Sequence, residues 1–290
     1  MTKKPPWLRV RHPSSPNLLR VEELLGRLKL NTVCEQASCP NYGECFSEKT
    51  ATFMILGVNC TRSCRFCGVQ CAAPTPVEPD EPERVAQAAK ALGLGYVVIT
   101  SVTRDDLPDG GAGHFAKVIA ALRKAAPSMA VEVLIPDFAG NPDALRLVTD
   151  ASPDVISHNM ETVPALYSQV RPEADYARSL TLLGRIKTQN PAIFTKSGVM
   201  LGLGEHKEQV AALLDDLRVV GCESLTIGQY LPPTKESYPV SEYITPALFD
   251  EYGEMARTKG FAFVASAPLV RSSYKAGEAL AALKEHRAQL

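Results

Sequence analysis

The chain has 290 residues, 45% hydrophobic and 22% charged, with a formal net charge of −1. This composition excludes a disordered chain and leaves ample apolar material for a sizeable core. The near-neutral charge supplies no global field to recruit nucleic acid or an anionic membrane, and no run of about 20 apolar residues spans a bilayer. With no secretory pattern either, the expectation is a cytoplasmic protein, or one of an organelle matrix, with neither a nucleic-acid nor a membrane partner.

In chain order, the first twenty residues carry five Lys or Arg and no acidic residue. They read as a proline-stiffened surface arm packed by Trp7 and Leu8, with a residual targeting segment or a dock for an acidic partner as alternatives. The cysteines follow. Seven of the eight, Cys34, Cys39, Cys45, Cys60, Cys64, Cys67 and Cys71, fall within 38 consecutive residues, and only Cys222 is remote. Such density means disulfides in a short secreted chain, but a chain of this length builds a core without staples, so metal is the better reading. Structural zinc favours two short Cys pairs. Here the spacing is Cys34-x4-Cys39-x5-Cys45 and then Cys60-x3-Cys64-x2-Cys67. These unequal triads suit a four-iron cluster, whose thiolates must reach around a cube, and three ligands leave one iron open for chemistry. Cys71 reads as a bystander thiol, with a fourth cluster ligand as the alternative.

Short β-rich runs recur at 52–58, 96–102, 131–136, 154–160, 194–201 and 224–231. Amphipathic stretches lie between them. Phe115, Val118, Ile119 and Leu122 recur at helical spacing before Pro127, a second helix ends towards Gly221, and a third opens on Thr245-Pro246. Six strand-then-helix units predict an α/β fold with a parallel sheet curled into a barrel or part of one. In such barrels function lies at the carboxyl ends of the strands.

The segment Cys60-T-R-S-Cys64-R-Phe66-Cys67 matches the C-x3-C-x-aromatic-C signature of the radical S-adenosylmethionine superfamily. The first triad, with Val270-Arg271-Ser272-Ser273-Tyr274 far along the chain, is similar to the paired motifs of the lipoyl synthases. KPPW at 4–7, TRDDLPDGG at 103–111, VEVLIPDF at 131–138, HNMETVP at 158–164 and LGLGE at 201–205 extend the likeness over nearly the whole chain. The chain therefore resembles the lipoyl synthase family.

The resemblance implies a partial (β/α)6 TIM-like barrel over 51–260, an N-terminal cysteine-rich extension over 1–50, and a C-terminal segment over 261–290 that folds over the barrel mouth. It implies two [4Fe-4S] clusters and S-adenosylmethionine. One cluster, on Cys60, Cys64 and Cys67, would deliver an electron to S-adenosylmethionine and release a 5′-deoxyadenosyl radical. The other, on Cys34, Cys39, Cys45 and Ser273, would give up two sulfurs to positions 6 and 8 of an octanoyl chain. That chain would be carried on a lysine of a lipoyl domain, in the E2 subunits of 2-oxoacid dehydrogenases or the glycine cleavage H protein, with ferredoxin or flavodoxin as electron source. Adjacent serines are not separable by residue type; the family's motif puts the ligand at the second. A hydroxyl oxygen is a weaker partner for iron than a thiolate, which suits a cluster that must be dismantled.

Phe66, Asn159, Lys196 and Glu132 are further cofactor-binding candidates, the last three with a structural hydrogen bond or ion pair as the alternative. Asp105 and Asp106 read as turn residues. GLGE at 202–205 is no dinucleotide fingerprint, and DGG at 109–111 falls late for the superfamily's Gly-Gly-Glu. The rival functions are another radical sulfur-inserting enzyme, a non-catalytic iron–sulfur electron carrier and a zinc protein.

Overall fold

The structure, a computed structural model, describes residues 4–9, 16–36, 39, 41 and 52–289. The chain divides into two compact units, Val10–Arg62 with Gly68–Ile156, and Met1–Arg9 with Ser63–Cys67 and Ser157–Leu290. They are called here the first and the second unit.

In the first unit, helix α1 (Pro16–Arg27) buries Val21, Leu24 and Leu25, one stripe at helical spacing. The two-residue strand Asn31–Thr32 then pairs antiparallel with Phe53 and Met54 of β1 (Thr52–Ile55). Strand β1 runs parallel to β2 (Tyr96–Ser101), which runs parallel to β3 (Ala130–Leu134). All of β1 and the centres of β2 and β3 are buried, as strands covered on both faces must be. Among the described residues, the further long helices of this unit are α2 (Glu81–Leu92), α3 (Ala112–Ala125) and α4 (Pro142–Asp150). Helix α3 buries Phe115, Val118, Ile119 and Leu122, the residues whose spacing predicted it. Asn141 caps α4, accepting from the backbone N–H groups of Asp143 and Ala144.

Strand β4 (Val155–Ser157) carries the chain from the first unit into the second. There β5 (Phe194–Leu201), β6 (Ser224–Gln229) and β7 (Phe263–Ser266) lie parallel, with Lys196 opposite Ser224 and Ser224 opposite Phe263. Helices α5 (Tyr176–Gln189), α6 (Lys207–Val219), α7 (Pro246–Thr258) and α8 (Ala276–Ala288) accompany them. Thr245 accepts from Leu248 N–H as the cap of α7, and Gly221, at φ 76°, follows α6 in the left-handed region. The N-terminal turn Pro6–Leu8 buries Leu8 but leaves Trp7 37% exposed, so only one of the two residues expected to pack the arm does so.

Parallel strands alternating with helices confirm the α/β class and follow the order of a partial (β/α) barrel. Strand β7 adds a seventh parallel strand to the six read from the sequence. Its four residues are only half-buried, although they lie in an apolar run, Phe261 to Ala267, comparable to the others. Among the described residues no helix is long and apolar enough to cross a membrane.

Candidate active site

The segment Cys60–Cys67 is divided between the units, Cys60 to Arg62 in the first and Ser63 to Cys67 in the second. In the first unit, Cys60 Sγ accepts from the backbone N–H groups of Thr103 at 3.3 Å and Arg62 at 3.5 Å. Thr61 is tied to the loop after β2 through Thr103 O and Asp105 N. The buried Arg62 guanidinium binds Asp105 in a two-bond fork at 2.7 and 2.8 Å and Asp137 at 2.7 Å. Burial works against its charge, but the bonds to both carboxylates prevail and hold it above the usual guanidinium range. Beside it, Arg104 bonds Asp106 twice and donates to Leu56 O, at the end of β1. The two aspartates read as turn residues thus fasten the cluster segment and its flank, and Asp106 is held below the ordinary carboxylate range by Arg104.

In the second unit, Ser63 donates through both N–H and hydroxyl to Glu173, at 3.2 and 2.5 Å. Arg65 N–H donates to Val170 O at 2.8 Å and Arg65 O accepts from Tyr238 N–H at 2.7 Å. Phe66 packs against Val170, Leu203 and Tyr230, so the aromatic of the signature anchors the turn in which Cys67 N–H reaches Cys64 O at 3.1 Å.

The same unit fixes the segment after β4. Arg171 donates to Asn159 O and Met160 O at 2.9 and 3.0 Å and stacks over Tyr167. Asn159 Nδ2 donates to Glu161 at 3.0 Å and to Ser272 Oγ at 2.9 Å, while the buried Asn159 Oδ1 has no partner among the described residues. Glu161 is partly buried with φ 66°, and desolvation raises its carboxyl above the usual range against the pull of Arg171 and Asn159. Gly198 of β5 makes room, since a Cβ there would stand 2.8 Å from Asn159 Oδ1. The C-terminal motif reaches the strand ends of this unit: Ala267 N–H donates to Ile227 O and Gln229 N–H to Pro268 O, and Val270 O occupies the place of a Cβ on Gly228.

Cys34 lies in a single helical turn, Val33–Gln36, that Thr32 begins by capping Glu35, and Cys39 N–H donates to Cys34 O at 3.0 Å. Burial, reinforced by Cys39, pushes the Cys34 thiol up to about 11. A metal at this position must therefore displace a proton as it binds. Both residues belong to the first unit and Ser273 to the second, and Cys45 lies outside the described residues. Lys196 is buried, the third residue of β5. Its carbonyl accepts from His158 N–H, which sets it level with the carboxyl end of β4 and at the amino end of its own strand. Glu132 is buried in β3 and accepts from the hydroxyl of Tyr96, at the start of β2.

The weaker motifs have structural explanations. Asp109 accepts from Gly111 and Gly113 N–H and opens α3, and the Glu205 carboxylate of LGLGE folds back onto Gly202 and Leu203 N–H. The seven described cysteines are free thiols. Among the described residues no three His, Cys, Asp or Glu side chains form a single-ion site; a four-iron cluster is wider, each thiolate taking a separate iron. The Cys60, Cys64 and Cys67 thiols fit such a cluster in kind and spacing, and the two N–H donors on Cys60 are suited to a metal-bound sulfur.

The radical SAM superfamily model matches residues 54–217. Among solved structures the chain is similar to methylornithine synthase, with a TM-score of 0.57 and 12% identity over 87% of this chain and 72% of that one, a likeness of fold. Fold and cysteine segment together define a radical S-adenosylmethionine enzyme. Over 96% of both chains it is 56% identical to the lipoyl synthase of Alkaliphilus metalliredigens. It is 57% identical to that of Caldanaerobacter subterraneus subsp. tengcongensis, over 94% of this chain and 96% of the other. The chain belongs to the lipoyl synthase family, and is an enzyme of the sulfurtransferase class rather than an electron carrier or a zinc protein.

Proposed function

We propose that the chain inserts sulfur at C6 and C8 of an octanoyl group amide-linked to a lysine of a lipoyl carrier domain. Cys60, Cys64 and Cys67 hold the cluster that binds S-adenosylmethionine, and Cys34, Cys39, Cys45 and Ser273 hold the second cluster. When bound, these groups supply the one-electron chemistry and the sulfur that turn unactivated C–H bonds into C–S bonds. Lipoyl domains of 2-oxoacid dehydrogenases or of the glycine cleavage system are the proposed partners, with ferredoxin or flavodoxin as electron source.

The observation that carries the assignment of the serine is the bond from Asn159 to Ser272 at 2.9 Å. It commits the first serine of the motif and favours Ser273 as the ligand. The unpartnered Asn159 Oδ1 supports a cofactor contact, because a buried acceptor needs a donor and the hydroxyls and ammonium of S-adenosylmethionine are donors. Phe66 acts by fixing the turn of Cys64 and Cys67. Lys196 stays among the proposed cofactor contacts, whereas Glu132 is assigned to holding Tyr96.

The test is an anaerobic single turnover of the reconstituted chain with S-adenosylmethionine, a reductant and an octanoyl-lysine peptide, following peptide mass and iron together. Gain of two sulfurs with loss of one cluster per product is expected, and Ser273→Ala alone should prevent loading of the second cluster. Formation of 5′-deoxyadenosine with an unchanged peptide would refute the substrate. Loss of that cluster in Ser272→Ala but not in Ser273→Ala would reverse the serine assignment.

A further inference from the structure

Cys71 has no part in the chemistry above, yet its position is specific. Asn59–Cys60 and Gln70–Cys71 form a two-residue parallel ladder in the first unit, with Cys60 and Cys71 as register partners. Ala72 N–H donates to Cys60 O at 3.3 Å and the Asn59 amide to Ala73 O at 2.8 Å, which secures the register at both flanks. Neighbouring strands lie about 4.8 Å apart, within the roughly 4.4–6.8 Å between Cα atoms that a disulfide spans. Side chains alternate between the faces along each strand, so register partners in a parallel pair project to the same face. Cys71 is exposed and Cys60 partly so.

We propose that Cys71 is a thiol-modification site that captures Cys60 as a disulfide when Cys60 holds no iron. The oxidant is a small disulfide of the glutathione class. The Cys71 sulfur attacks it, forming a mixed disulfide and releasing one small thiol; the Cys60 sulfur then attacks the Cys71 sulfur, forming the Cys60–Cys71 bond and releasing the second. The two protein thiols lose two electrons to the small disulfide, and their two protons leave on the two released thiols. The bond closes the segment that carries Cys64 and Cys67 and withdraws one thiolate from the cluster set until a reductant restores it. Cys71 is exposed, and exposed disulfides are among the more readily reduced.

The effect on iron loading rests on the reading of Cys60 as a cluster ligand; the crosslink does not. The test treats the metal-free, full-length chain with oxidised glutathione, then digests it without reduction for mass spectrometry. A peptide joining Cys60 to Cys71, two hydrogens lighter than the separate peptides, is expected. Iron and sulfide reconstitution without reductant should then load about half the iron of the untreated chain, roughly four atoms where two clusters hold about eight. Cys71→Ser should yield no such peptide and load fully under reducing conditions. Cys71 found only as a glutathione adduct, or Cys60 joined elsewhere, would overturn the proposal. A Cys60–Cys71 crosslink with undiminished iron would instead overturn the ligand role of Cys60.

Discussion

Arg62 holds the residues after Cys60 in place with a single guanidinium shared between Asp105 and Asp137. The Asp137 side chain is fully buried, so removing the cation leaves a carboxylate with no water to replace it. Arg62→Ala is expected to destabilise the chain by about 3–5 kcal/mol in denaturant unfolding, and Arg62→Lys to recover only part, because an ammonium cannot form the fork. A loss below about 1 kcal/mol would show that the cluster segment does not depend on this anchor. The cysteines themselves were legible because their spacing is local. The partners of Arg62 were not, lying 43 and 75 residues away; Asp105 alone has the sequence context of a solvated turn. Lys196 shows the same limit, since only the pairing of His158 with it reveals that it stands at the end of β4 and the beginning of β5.

At the scale of elements, the turn from β5 into α6 turns on Gly202. Its φ of 94° belongs to the left-handed side of backbone space, and a Cβ would collide with the Gln229 amide and Glu242 O. Gly204, at φ 114°, shares the backbone demand, but a Cβ there would meet only Ser241, at 3.7 Å. Gly204→Ala should therefore cost about 1–3 kcal/mol from the backbone alone, and Gly202→Ala clearly more. Equal shifts of the two unfolding midpoints would show that the collision is relieved without penalty. Helix boundaries were readable where the signal is chemical and adjacent, as with Thr245-Pro246 and Gly221. Strand β7 was not, because a short apolar run such as Phe261 to Ala267 does not by itself separate a strand from a buried helical turn, and the pairing with β6 decides it.

For the molecule as a whole, burial sets a limit at alkaline pH. Cys222 is fully buried, and desolvation pushes its thiol from 9.0 to about 12. The folded chain thus keeps a proton that the unfolded chain releases. The contribution is complete below about pH 9 and falls by about 1.4 kcal/mol per pH unit until the folded value is reached. Burial also raises Tyr96, Tyr230 and Tyr252, which adds losses from about pH 10 upwards. Cys222→Ala should be less stable than the parent at neutral pH, from the lost packing, and the difference should narrow as pH rises above about 9. Parallel stability curves from pH 7 to 11 would show that the thiol titrates alike in both states. By itself the sequence determined the thiol chemistry, the strand–helix alternation and the helix caps, because each acts through spacing or contacts within about a dozen residues. Only the tertiary structure decided that Asp137 meets Arg62, that Asn159 meets Ser272 and that Cys71 stands beside Cys60. Those meetings depend on strand order and register, which a local pattern of residue types does not encode.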